Sequence, residues 1–320
     1  MKTFEKISKK ISKLMIDNPK IKKDLSWYNI VNPEKKEINF LKENFNFSEK
    51  HLDLSLTTTI AQRPAIYKGD DYLFIILHFP IMVNGKIEPG EIEFFMSHKL
   101  LITLHNGKIE ALNNFFKKLS EDKIFSETYK YESSTILLYE ILEALISDSF
   151  KLLDENNIEI TKVENDIFAS KQKPITEKLL TLKRSIINIR RIVQNHKNIM
   201  KKLSEMKSSL VPQEQIRSYY DTLAEHSQRI WEFSEIQKEI IESLHQTSES
   251  ITSYRINNIM KTLTVVSVLI MPLNLFVNLF GMNVDPSPMQ ANTPLFINII
   301  LTITIMAIFF LMLFKRKKWL

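Results

Sequence analysis

No cysteine occurs among the 320 residues, so the chain can form neither disulfides nor thiolate metal sites. Glycine is also scarce, at five, and nothing matches a Gly-rich loop that cradles phosphates, which argues against an ATP-driven pump. Seven histidines (His51, His78, His98, His105, His196, His226 and His245) show no close metal-ligand spacing. No nucleophile–base arrangement can be argued, so the sequence reads as neither an enzyme nor a cofactor-dependent protein. Met1 to Lys23 carries many lysines but no continuous apolar run. It does not read as a secretory signal, and the N-terminal part is expected in the cytosol. The net charge is +6, but lysines are scattered among acids, so no nucleic-acid partner is expected.

What is present divides sharply. Up to about Asn258 the chain is rich in Lys, Glu, Asn and Ser; from Ile259 it is almost wholly apolar apart from a short loop and a basic tail. Residues 1–131 read as an α+β cytosolic domain. Helices are expected over Ile38–Phe45, Glu49–Leu56 and Ile109–Leu119, and strands over Ala65–Tyr67, Tyr72–His78, Ile92–Met96 and Leu100–Leu104. Gly-Asp-Asp, Asn-Gly-Lys and Pro-Gly turn signals separate the strands. Residues 132–258 read as long helices and a stalk. Leu138, Ile141, Leu142, Leu145, Ile146, Phe150, Leu153, Ile158 and Ile160 recur at helical spacing over Ser134–Ser170, and a second helix is expected over Ile175–Leu210. Neither Pro nor Gly occurs between Pro212 and Pro272, so one helix is expected from Gln213 to Phe280, on the order of 100 Å long.

Two spans of about the 20 residues that cross a bilayer follow. They cover 259–280 and 295–314, and an external loop over 281–294 joins them. Only Lys261 is charged in the first, near an edge where a lysine can snorkel, and the second holds no charge. The basic tail 315–320 places the C-terminus in the cytosol by the positive-inside rule, so both termini are inside and Asp285 faces out. Between Val265 and Phe280 the polar residues are Ser267, Asn274 and Asn278. At about 100° per residue these three fall within roughly 40° of one another. Thr264, Met271, Leu263 and Met260 lie close to the same line. An isolated Asn in hydrocarbon is usually glue between helices. A full-length stripe that continues into a stalk reads instead as a pore lining. Neutral amide oxygens suit a hydrated hard cation such as Mg²⁺, and the Met and Leu positions supply apolar constrictions.

The first span ends Met271-Pro272-Leu273-Asn274-Leu275-Phe276-Val277-Asn278-Leu279-Phe280-Gly281-Met282-Asn283. This run, with its short loop, second span and Lys-Arg-Lys-Lys-Trp-Leu tail, resembles the CorA family of divalent-cation channels, whose signature is Gly-Met-Asn. Gln62-Arg63-Pro64 and the segment from Leu137 to Phe150 extend the resemblance over most of the chain. It implies a funnel-shaped homopentamer in the inner (plasma) membrane, with membrane lipid and divalent cations as partners and stalk helices around the axis. It further implies a selectivity ring of Gly281, Met282 and Asn283, a pore-facing Asn257, and Asn283 and Asn274 holding transported hydrated Mg²⁺. Departures are visible. The family often has Thr at Asn274, a small residue at Asn278 and Tyr at Phe280. At the acidic positions that hold regulatory Mg²⁺ in relatives this chain has Leu56, Thr222 and Gln246, none of which replaces a carboxylate. Asp70, Asp71, Asp221, Glu242 and Glu249 are the nearest substitutes, and each reads first as a solvated charge. The expected function is passive Mg²⁺ influx, with Co²⁺ and Ni²⁺ as poorer substrates. The alternatives are a Zn²⁺ transporter of the ZntB-like branch and a membrane-anchored coiled-coil receptor or scaffold.

Overall fold

The computed structural model describes residues 3–16, 25–56, 64–121, 133–168, 172–207, 212–281 and 293–316. It divides into two units, Met1–Ser243 and Leu244–Leu320.

The first unit is built on a seven-stranded sheet in the order β1-β2-β3-β7-β6-β5-β4. The strands are β1 Thr3–Lys6, β2 Ile11–Ile16, β3 Leu25–Val31, β4 Ala65–Lys68, β5 Leu73–Val83, β6 Lys86–Ser97 and β7 Leu100–His105. Neighbours are antiparallel except β3 and β7, which pair in parallel. The first three strands were not anticipated: their lysines and short apolar alternation hide strands that only pairing reveals. The β5–β6 hairpin is longer than its apolar runs suggested. Asn84 and Gly85 at its tip both take positive φ (50° and 74°), the geometry of a two-residue turn whose twist matches the strands.

Helices α1 (Lys35–Asn44) and α2 (Glu49–Leu56) cover one sheet face. There Ile38, Leu41 and Leu52 pack with Phe74, Ile76, Phe95, Ile102 and Leu104. The other face takes α3 (Glu110–Glu121), α4 (Ser134–Phe168), α5 (Gln172–Val193) and α6 (His196–Ser204). Phe116 of α3 meets Trp27 edge-on at 4.8 Å, and Trp27 Nε1 donates to Thr103 Oγ1 at 3.1 Å. The expected single helix over Ile175–Leu210 is two helices, α5 and α6, separated by a turn at Gln194–Asn195. The break lets His196 turn fully under the sheet, where its Nε2 donates to the His78 carbonyl at 2.7 Å. Ile158, grouped with the core residues of α4, is 56% exposed. Pro174 sits in the first turn of α5, where its missing N–H costs nothing.

Helix α7, Gln213–Gly281, has 69 residues. Its buried line in the first unit runs through Ile216, Tyr220, Leu223, Ser227, Ile230, Ser234, Gln237 and Ile241, with Ala224 buried beside Leu223. The steps alternate four and three, the heptad seam of a coiled coil. Cross-contacts give the directions of its partners. Tyr220 donates to the Thr135 carbonyl (2.8 Å) and Gln237 Nε2 to the Leu153 carbonyl (2.9 Å), so α4 runs parallel to α7. Arg190 pairs with Glu235 and Lys183 with Glu242, so α5 runs antiparallel.

Candidate functional site in the membrane helix

The second unit holds the membrane-proximal part of α7 and helix α8, Thr293–Arg316. Among the described residues α7 is the one helix long and apolar enough to cross a membrane, and 6% of its apolar window is buried. Helix α8 has 24 residues, with Lys315 and Arg316 in its last turn. Its sequence from Leu295 to Phe314 carries no charge.

Helix α7 reaches Gly281 as a continuous helix with Pro272 inside it. Proline removes one donor from the ladder, a break tolerated in membrane helices where neighbouring groups re-satisfy the carbonyl. Continuity fixes the phase of the stripe. At about 100° per residue, Asn257, Met260, Leu263, Thr264, Ser267, Met271, Asn274 and Asn278 fall in one arc of about 120°. All eight are exposed in the chain. A different face is covered. Val265 is 4% exposed, and Asn258, Lys261, Val268, Leu269 and Pro272 are partly buried. These six centre about 130° round the helix from the stripe. The packing within one chain therefore leaves the polar stripe open.

Two hydroxyls in this region bond along the helix: Thr262 Oγ1 to the Asn258 carbonyl (3.0 Å) and Thr264 Oγ1 to the Met260 carbonyl (2.8 Å). This satisfies an otherwise costly polar group in an apolar setting. The same arc takes in Ile256 and Leu275, 54% and 65% exposed, which the sequence reading passed over as ordinary apolar residues. Counting the helical phase of every position would have found them.

Gly281 closes α7. Met282, Asn283 and Asp285 lie outside the described residues, so the expected selectivity ring and external acid have no geometry here. Of the positions taken as counterparts of a regulatory metal pair, Leu56 ends α2 against the apolar core. On α7, Thr222 is partly buried and its Oγ1 donates to the Ser218 carbonyl at 2.8 Å, while Gln246 is exposed. Among the described residues no group of three or more His, Asp or Glu gathers within one chain.

Buried titratable groups lie in the first unit. Glu93 on β6 is 4% exposed, with one carboxylate oxygen unpartnered. Burial pushes its pKa up to about 8, a Ser55 hydrogen bond offsets part of that, and the Glu91 charge adds to it. Burial lowers His105 and His196 to about 4, so both are neutral at physiological pH.

The model of the CorA-like Mg²⁺ transporter protein family matches residues 22–316, nearly the whole chain. The chain belongs to the CorA family. The cobalt/magnesium transport protein CorA of Methanocaldococcus jannaschii is 22% identical over 302 residues, covering 92% of this chain and 91% of that protein. The protein of the same name from Thermotoga maritima is 23% identical over 264 residues, covering 82% of this chain and 74% of that protein. The complete structure of the CorA magnesium transporter from M. jannaschii superposes with a TM-score of 0.81 at 19% identity, covering 95% of each chain. The architecture is thus the CorA fold, a mixed α/β N-terminal domain followed by a long helix. As a CorA-family member the protein is an integral-membrane metal-ion transporter, and it is not an enzyme.

Proposed function

We propose that this CorA-family protein is a homopentameric channel for passive Mg²⁺ influx, with Co²⁺ and Ni²⁺ as poorer substrates. The observation that carries this reading is the open polar stripe of α7. Its neutral oxygens and hydroxyls face away from the chain's own packing. Oxygen in hydrocarbon needs a partner helix or water, and five copies around an axis supply water. Mg²⁺ sheds its hydration shell reluctantly, so rings of Asn274 and Asn278 amides would coordinate the hydrated ion through its waters and release it again. Met260, Leu263 and Met271 make apolar constrictions on the same face, which exclude water when closed. The relatives named for cobalt and magnesium transport support this choice of ions.

In this reading residues 259–280 and 295–314 span the cell's inner membrane, both termini lie in the cytosol, and 281–294 faces out with Asp285. Gly281, Met282 and Asn283 form the outer ring, with Asn283 contacting the hydrated ion. A divalent cation gains roughly 4–5 kcal/mol per 100 mV of membrane potential, twice the single-charge value, so no catalytic residue or fuel is required. The carboxylates that would hold a regulatory ion are replaced by Leu56, Thr222 and Gln246, so closure by internal Mg²⁺ is not expected to run through those positions.

The test is ion flux into proteoliposomes with the interior voltage negative, beside Asn283→Ala. Voltage-driven Mg²⁺ entry that the substitution abolishes supports the channel and its filter. Zn²⁺ entry without Mg²⁺ entry would place the protein with the zinc transporters, and flux of neither ion would refute the transport reading.

A further inference from the structure

The residues of α7 just N-terminal to the stripe keep its phase. At about 100° per residue, His245, Gln246, Glu249 and Ser253 fall in the same arc as Asn257 to Asn278. All four are exposed. His245 and Glu249 stand one turn apart, with Nε2 3.4 Å from Oε1 and side chains 48% and 68% exposed. Between His245 and Ser253 no Lys or Arg intervenes. One turn earlier, Glu242 is engaged by Lys183 at 3.3 Å. Glu249 instead stands against the imidazole of His245, a side-chain type that can ligate metal ions.

We propose that His245 and Glu249 form a transition-metal site facing the channel axis, completed by the same pair from neighbouring copies. The proposal rests on the reading that α7 lines that axis. An imidazole and a carboxylate at i and i+4 on one helix face can hold a single ion, the spacing that puts two metal ligands of a helical zinc motif on one side. One chain supplies two such donors, and within a chain no third His, Asp or Glu joins them among the described residues. The site is therefore incomplete in one chain. Two copies bring four donors, the number a tetrahedral ion takes. Imidazole with carboxylate suits Co²⁺, Ni²⁺ or Zn²⁺, whereas Mg²⁺ prefers oxygen alone. The channel would then carry a Mg²⁺-compatible stripe of oxygens in the membrane and a nitrogen-containing station beyond Ser253 that holds transition metals longer.

The experiment is Co²⁺ titration of the full-length protein in detergent, read by visible absorption and calorimetry, with His245→Ala, Glu249→Gln and the double variant alongside. The wild type should bind Co²⁺ with at least tenfold higher affinity than each single variant. Zn²⁺ should displace the bound Co²⁺, and Mg²⁺ at tenfold excess should not. Equal Co²⁺ binding by wild type and double variant, or ready displacement by Mg²⁺, overturns the site. Because the chain has no cysteine, Gln246→Cys reports separately on the axis. Oxidative cross-linking between copies with unchanged Co²⁺ binding in the double variant refutes this site alone. No cross-link refutes the axial placement of α7 and the site with it. Mg²⁺ flux in wild type and Asn283→Ala reads the transport function independently of both.

Discussion

Replacing Glu93 with Gln should remove a pH-dependent loss of stability built into the sheet. Glu93 stands on β6 between Ile76 of β5 and Leu104 of β7, on the face closed by α1 and α2. It is 4% exposed, with one oxygen unpartnered, and burial raises its pKa to about 8. In the unfolded chain the carboxyl titrates near its ordinary value of 4.5. Below that pH both states hold the proton. Between 4.5 and 8 the folded state keeps a proton that the unfolded state has released, so stability falls as pH rises. The slope approaches about 1.4 kcal/mol per pH unit, or roughly 2–3 kcal/mol between pH 5 and pH 7. For a domain of this size that corresponds to about 5–10 °C in melting midpoint. His105 and His196 act oppositely. Their pKa values are depressed to about 4, so their contribution is lost as pH falls through the range between 6.5 and 4. Only the difference between wild type and Glu93→Gln isolates the carboxyl. The assay is thermal unfolding of both full-length proteins in detergent from pH 5 to pH 8, followed by Trp fluorescence, since Trp27 is fully buried in the same sheet. The variant should gain on the wild type steadily as pH rises. Parallel midpoint curves would refute the reasoning.

Gln237→Ala should lower stability by about 2–4 kcal/mol in denaturant unfolding, because it opens a gap in the α4–α7 seam and strips partners from the Leu153 carbonyl and Asn156. Gly85→Ala should cost about 1 kcal/mol. The space around Gly85 is open, so the loss arises from its φ of +74° alone, and Gly85→Asn should recover most of it in the same measurement. Asn278→Leu should cut Mg²⁺ flux in proteoliposomes at least tenfold while the protein still assembles. Unchanged flux would remove Asn278 from the conducting path.

The residues themselves determined the elements whose patterns are local. Helix α2 runs over Glu49–Leu56 as its spacing indicated, and the Asn84-Gly85 turn joins β5 to β6 where that dipeptide stands. The unbroken α7 follows from the absence of Gly and Pro before Pro272. The phase of the polar stripe was equally legible, because a continuous helix preserves angle from residue to residue. What lies across the chain was not legible. Strand β3 joins the sheet by pairing with β7, a partner about seventy residues away that no local window contains, and β2 and β1 are added in turn at its outer edge. The turn at Gln194–Asn195 interrupts a periodicity that reads straight through it, because His196 finds its acceptor, the His78 carbonyl, on the sheet. The heptad seam of α7 mixes Ser and Gln with Ile, so its burial shows only once α4 lies beside it. Glu93 alternates correctly for a strand, but whether that face meets water or helices depends on where α1 and α2 pack. The stripe was likewise in the sequence, while packing decided that it stays open: the chain's own contacts bury Val265 on another face and leave Asn274 and Asn278 exposed.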